Sequence, residues 1–530
     1  MADFFKSHKI DLTLCAVLCA VLAFVGYSYF RHFGIYGDDW GASTYLYQNN
    51  LRSAVSMWWH AGSGEIENFR LLAVIIPIIW YGAFHLFGFF GVILINFLLY
   101  AGLAILFYFI LKQHLSRSAA FLGALLFAIF PTNNAYLWQV TISYALALLA
   151  VFGAILLFNK NKFWQSALIL ACGLLINEAV FFVFFLSVLA PQTQKLSWAG
   201  FKPRFKKWLQ IVAPMIISYI IFRLALEITG ITGGNRATNA LHQLHLVAYA
   251  MQFAYAIAID LVIAWGVSLW KILHYHQAID FAVGVAAALA AWFFSRKLSR
   301  SSENISKPLY VIVLGLILIC AGRYYGFYYV PSVNVLNLDS RYYFASSVGA
   351  AMCFAGLLQW AWDFFAGWKK YIPTVLLCLM VFVAAMSRFE VERDYARAWQ
   401  NAQKFWQTFL AAIPSLPDKS VLIVNVPARS VDQPVGVSEA MGDLRSLVPL
   451  FYGKDELGAG TLGMQSIDVG QSQVCFTSSP FFFDYCVDNA RVTGLVWDGG
   501  RLIRTYGRWP LSGPNKASLP PNIKKILSVQ

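Results

Sequence analysis

The sequence predicts a polytopic α-helical membrane protein of about eleven transmembrane helices, followed by a small C-terminal α/β domain. Three observations predict it. The 530 residues are 59% hydrophobic and 12% charged, too little polar surface to cover a soluble fold of that length. Stretches of ~20 mostly apolar residues, long enough to cross a hydrocarbon core, recur between Ile10 and Met386, whereas residues 389–530 hold none. Segments such as Phe89 to Leu111 are apolar on every face, which excludes an outer-membrane barrel with its alternation at period two. The chain therefore divides into a membrane domain, residues 1–388, and a soluble domain, residues 389–530.

Taken in order, Lys6 and Lys9 precede the first apolar run, Ile10 to Phe30, which is too long for a signal-peptide core and has no small-residue cleavage site after it. This run reads as an uncleaved helix with a cytoplasmic N-terminus. The net charge of +14 sits mostly in short loops, as in Lys195 to Lys207, Arg296 to Lys307 and Lys369-Lys370. Positive loops of this kind set membrane orientation and give no support to nucleic-acid binding. Lys112 to Arg117 and Lys160 to Lys162 join the cytoplasmic set, and His274 and His276 are expected on that face too. The external set is the first loop, 31–70, with Pro131 to Gln139, Gly230 to His245, Pro331 to Arg341 and everything after Arg388. The parity holds only if Phe163 to Ala190 is two short helices broken at Asn177-Glu178. Leu71 to Phe87, and one of the pair Leu246 to Trp270 and Ile279 to Phe294, must then lie along or dip into the membrane.

The soluble tail opens with an amphipathic helical pattern, Glu390 to Ile413, then a buried-strand run, Val421 to Val426, ended by Pro427. Six of the eight cysteines lie in or beside apolar helices, where free Cys behaves as a small hydrophobe. Cys475 and Cys486 fall in strand-like sequence of the tail and predict a disulfide in an oxidising compartment. A bridge there agrees with an external, periplasmic C-terminal domain.

Charged groups beside a bilayer are costly and are candidates for function. The first external loop reads Gly37-Asp38-Asp39-Trp40 just past the first helix, then His60, Glu65, Glu67 and Arg70. Two adjacent carboxylates there fit a helix N-cap, a general base or metal ligands. Arg323 ends one apolar run, and Asp339-Ser340-Arg341-Tyr342-Tyr343 opens the next. Arg and Tyr at such positions either anchor at headgroup level or converge on an anion, since the guanidinium fork matches phosphate geometry. A carboxylate base with phosphate-binding arginines makes a group-transfer site for a phosphorylated lipid. Glu178 reads as a tie between two short helices. The histidines have no zinc-like spacing, and no Walker or dinucleotide glycine pattern is present.

The N-terminal helix, the acidic Asp38-Asp39 beyond it, Arg70 before an apolar helix ending at Phe87-Gly88, Ser118 to Asn133 with its terminal Pro131, the break at Asn177-Glu178 and the late Arg341-Tyr342 together resemble the GT-C glycosyltransferases, among them the protein O-mannosyltransferases and the lipid A aminoarabinose transferases. The resemblance spans the layout of most of residues 1–390. The sequence departs from it in lacking a Glu after the Asp pair and in having Asn177 where several members have Lys. It implies a GT-C-like catalytic domain in a bacterial inner membrane that moves a sugar from a polyprenyl-phosphate donor to a periplasmic acceptor, a polysaccharide such as O-antigen, a lipid or a protein. Asp38 or Asp39 is then the general base, and Arg70, Arg323 and Arg341 bind the donor phosphate. Tyr342, Trp40, Glu65, Glu67 and His60 are candidate substrate contacts. With several arginines at hand no metal or other cofactor is required, although a divalent cation is compatible with the residues.

Two other classes fit less well. A lipid-linked oligosaccharide flippase or other transporter generally places its polar residues near the midplane, often in repeated halves, and neither feature stands out. O-antigen polymerases and ligases tend to carry catalytic arginines in large late loops rather than an acidic first loop, and a structural envelope subunit would leave these acids and arginines dispensable.

Overall fold

The computed structural model describes residues 2–34, 50–61, 70–133, 135–137, 141–188, 198–228, 246–297, 308–322, 343–365, 371–425, 444, 448, 451–453, 458–461, 466–469, 472–477, 485–498, 501–507 and 511–519. Fourteen α-helices can be drawn among them. They are α1 (Ala2–Gly26), α2 (Leu51–Ala61), α3 (Ile75–Phe87), α4 (Phe89–Leu111), α5 (Arg117–Ala128), α6 (Ile142–Asn159), α7 (Phe163–Ile176), α8 (Trp198–Ile228), α9 (Leu246–Ala258), α10 (Ala264–Tyr275), α11 (Ala278–Lys297), α12 (Pro308–Gly322), α13 (Phe344–Phe364) and α14 (Tyr371–Ala412). Eight helices among the described residues are long and apolar enough to cross a membrane, and five shorter apolar helices accompany them.

Local sequence explains the joints. Gly88, with φ 66°, turns α3 into α4 where an L side chain would be strained. Ser116 caps α5 by accepting from the Ala119 N–H, while its hydroxyl donates to Gln359 of α13. Asn177 ends α7 in extended backbone, and a 3-10 segment, Glu178–Val188, runs back along it, so the break at Asn177-Glu178 divides this stretch into two short pieces. Between α9 and α10 the backbone widens into one π turn, Ile259–Ile263. Helices α12 and α13 approach closely because both present small residues. A Cβ on Gly315 would stand 2.6 Å from the Gly349 carbonyl, and one on Gly322 2.6 Å from the Ser346 N–H nitrogen.

Polar contacts distinguish the two ends of the bundle. At one end Asp11 of α1 accepts Lys112 Nζ and the Tyr108 hydroxyl, each at 2.6 Å, and lies 3.1 Å from Arg117 Nε. At the other lie the exit of α1 at Tyr27, the Pro131–Leu137 turn, and Arg388 of α14, whose Nη1 donates to the Asn133 carbonyl at 2.9 Å. The turn between α10 and α11 lies at this second end, held by Lys271 and Asp280. That corrects the expectation for His274 and His276: their turn shares the end of Pro131, because two ion pairs to α14 outweigh the loop-charge argument that set them opposite.

Helix α14 is continuous through the position where an external tail was expected to begin. Its 42 residues span about 63 Å, roughly twice a ~30 Å hydrocarbon core. Its last turns enter the C-terminal domain, where Phe405 meets Trp497 at 5.7 Å and Trp406 meets Phe451 at 4.9 Å between ring centroids. That domain is built on β2 (Val421–Asn425), parallel to both β3 (Gly458–Thr461) and β7 (Val492–Trp497), with β8 (Leu502–Tyr506) antiparallel at the far edge. The first four residues of β2 are buried, as its unbroken apolar run requires. Two strands, β1 (Ser415–Leu416) and β9 (Asn515–Lys516), close its base. A three-stranded antiparallel sheet, β4 (Ser466–Val469), β5 (Gln473–Thr477) and β6 (Tyr485–Asp488), sets Cys475 directly opposite Cys486, and the two are bonded.

Candidate functional site

The predicted residues Asp38, Asp39, Trp40, Glu65, Glu67, Arg323, Arg341 and Tyr342 lie outside the described residues, as does the side chain of His60. What the structure describes is the frame from which those segments start and to which they return. Gly34, the last described residue before Asp38-Asp39, sits flat on the Trp399 indole of α14, so closely that any Cβ would overlap the ring. Tyr343 and Phe344, just after Arg341, are buried at the start of α13. A chain of rings joins the two places: Tyr27 to Tyr136 at 5.3 Å, Tyr136 to Tyr100 at 5.9 Å and Tyr100 to Phe344 at 5.8 Å.

Arg70 is described, and it has a partner. Its Nε and Nη2 donate to the two carboxylate oxygens of Glu178 at 2.8 and 3.0 Å, a fork-to-fork pair in which each side chain is 12% exposed. The extended backbone at Asn177 aims Glu178 there, since Asn177 donates to Ser143 Oγ at 3.0 Å and accepts the Ala179 N–H at 3.0 Å. Glu178 thus ties the helix break to the end of the first loop, and an anion at Arg70 has to share or replace it.

Among the described residues, the largest polar group at this end is one that the sequence did not single out. Five charged side chains of α14, Arg388, Glu390, Glu392, Arg393 and Asp394, are all buried. Arg388 lies over the Tyr136 ring, its Cζ 3.8 Å from the centroid, and Tyr136 donates to Glu392 Oε1 at 2.6 Å. Burial raises the Tyr136 phenol well above its ordinary pKa, so it remains a donor. Gly26 lets the guanidinium approach α1, where a Cβ would come within 3.3 Å of Arg388 Nε and Nη2. On the other side of α14, Lys271 donates to Asp394 Oδ2 at 2.6 Å, and Arg393 Nη1 reaches both oxygens of Asp280 at 2.7 Å. Among the described residues, Arg388 Nε and Nη2, one oxygen each of Glu390 and Glu392, and the Tyr27 hydroxyl have no hydrogen-bond partner. Buried polar atoms with spare capacity are uncommon, and here they gather at the end of the bundle where α1 leads to Gly34.

A signal for this group was present in the sequence. Five charges within seven positions of a helix point to every face, so they cannot all be solvated on one side. Among the described residues no group of three or more His, Cys, Asp or Glu side chains could hold a metal ion. No protein-family model and no curated protein matches the chain.

Proposed function

We propose that this protein is an integral-membrane glycosyltransferase, similar in layout to the GT-C enzymes, that moves a sugar from a polyprenyl-phosphate donor to a periplasmic glycan, lipid or protein. The single observation that carries the reading is the ring chain from Tyr27 to Phe344. It roots the segment bearing Asp38 and Asp39 and the segment bearing Arg341 at the same end of the bundle, which is what a carboxylate base and a phosphate-binding arginine acting on one substrate need. In this reading Asp38 or Asp39 takes the proton of the attacking acceptor hydroxyl. Arg341 and Arg323 stabilise the charge that develops on the departing phosphate, and Arg70 joins them when released by Glu178. Trp40, His60, Glu65, Glu67 and Tyr342 line the substrate path. The membrane is a bacterial inner membrane crossed about eleven times, with the N-terminus cytoplasmic and the C-terminal domain periplasmic, and the reaction requires no metal.

A transporter of lipid-linked oligosaccharide is the second reading. It is favoured by one observation, the π turn at Ile259–Ile263 that holds the fully buried Asp260 inside an apolar helix pair; interrupted helices with buried acids are frequent in transporters. Substitution separates the two. Under the transferase reading, Asp38→Asn or Asp39→Asn abolishes sugar transfer to the acceptor while the protein still reaches the membrane folded. Full transfer in both single variants and in the double variant refutes it. Movement of intact lipid-linked sugar across vesicles without transfer to any acceptor, lost in an Asp260→Asn variant, supports the second reading.

A further inference from the structure

We infer that the end of the bundle opposite this site carries a binding site for the headgroup of an anionic phospholipid, built by the α6–α7 turn and the first turns of α8. Three contacts bring those elements together. Arg204 Nη2 of α8 donates to Asn159 Oδ1 at 2.6 Å and to the Ser187 carbonyl at 2.7 Å, and its Cζ stands 5.2 Å from the Phe158 ring centroid. Lys207 Nζ lies 5.8 Å from the centroid of the Phe163 ring, the residue after Lys162. Phe185 meets Trp208 edge-on at 5.3 Å. The positive φ of Asn161, 59°, reverses the chain between Lys160 and Lys162 so that both stay in the turn.

Acid is sparse along the stretch of chain that builds this corner. Between Glu67 and Glu227 the sequence holds one carboxylate, Glu178. That one is bound to Arg70 beyond the far end of α7, whose 14 residues span about 21 Å. Lys160, Lys162, Lys202, Lys206 and Lys207 are exposed, and Arg204 is spent on holding the corner together. From the start of α7 one helix face is apolar and exposed, with Trp164 82% and Leu168, a turn further on, 60% exposed. A cluster of ammonium groups above exposed Trp and Leu matches a phosphate headgroup with acyl chains below it, which water-soluble anions do not. Loop charge alone accounts for membrane orientation, but it does not require three elements to be tied into one corner around it. This site is independent of the transferase reading.

Native mass spectrometry of the full chain in detergent, with dioleoylphosphatidylglycerol and dioleoylphosphatidylcholine supplied equally, tests it. The phosphatidylglycerol adduct is expected to dominate. K162E/K207E lowers its occupancy about tenfold or more, since each basic residue near a headgroup is worth several-fold. K162R/K207R keeps it. K404E/R504E, an equal charge change on exposed residues of α14 and β8, leaves it unchanged, and equal thermal unfolding in mixed micelles of detergent and phosphatidylcholine shows that the variants fold. Equal retention of the two lipids, undiminished phosphatidylglycerol binding in K162E/K207E, or displacement of the lipid by inorganic phosphate overturns the proposal.

Discussion

Arg388 and Glu392 act as one unit through Tyr136, which takes the guanidinium on its face and donates a hydrogen bond from its hydroxyl to Glu392 Oε1. Removing Arg388 takes the cation from the Tyr136 face and the donor from the Asn133 carbonyl, so Arg388→Met is expected to cost about 1–3 kcal/mol in unfolding stability. R388M/E392M should cost less than that single change, because the pair leaves together. Tyr136→Phe keeps the ring under the guanidinium and removes one hydrogen bond, a loss of ~1–3 kcal/mol. Thermal or denaturant unfolding in detergent checks all three, and a double variant no more stable than Arg388→Met contradicts the unit. The same logic applies to Arg70 and Glu178, which the sequence assigned to separate roles. Their pairing was not legible because 108 residues separate them, and no periodicity reports which loop end a helix break faces.

At the scale of elements, most helices were legible because an apolar stretch of membrane length is self-announcing, and the break at Asn177-Glu178 followed from loop-charge parity. Helix α14 was half legible. Its apolar start and its amphipathic end were read as two objects, because charges at Arg388 to Asp394 look like an exit to water until partners from α1, α10 and α11 are seen around them. A single rod through membrane and soluble domain makes the junction sensitive. Ala396→Pro, in the buried stretch after those charges, should cost about 3 kcal/mol or more and loosen the C-terminal domain, read as faster hydrogen exchange in β2 and β7. Gly34→Ala should also destabilise, since its Cβ meets the Trp399 ring that anchors the start of the first loop. Unchanged exchange and unfolding in both variants would show that the rod does not organise this junction.

For the whole molecule, composition pointed to a helical membrane protein with a small α/β tail, and charge distribution gave an expected orientation. The α10–α11 turn departed from that direction because local ion pairs, Lys271 to Asp394 and Arg393 to Asp280, decide where one hairpin lies more strongly than loop charge does. The Cys475–Cys486 bridge follows from antiparallel register in β5 and β6 and predicts a band that shifts on reduction in non-reducing gels of protein made through an oxidising compartment, lost in Cys475→Ser. The central claim concerns the end of the bundle where Tyr27, Tyr136 and Phe344 bring the roots of the acidic first loop and the arginine-bearing late segment together. Its most direct test is to incubate the purified full chain with a panel of defined polyprenyl-phosphate sugars and a membrane-derived acceptor fraction, following release of polyprenyl phosphate. The account predicts release with at least one donor, lost in D38N/D39N and strongly reduced in Arg341→Ala, with folding retained. Release that persists undiminished in D38N/D39N, or its absence with every donor while the protein moves the intact lipid-linked sugar across vesicles, contradicts it.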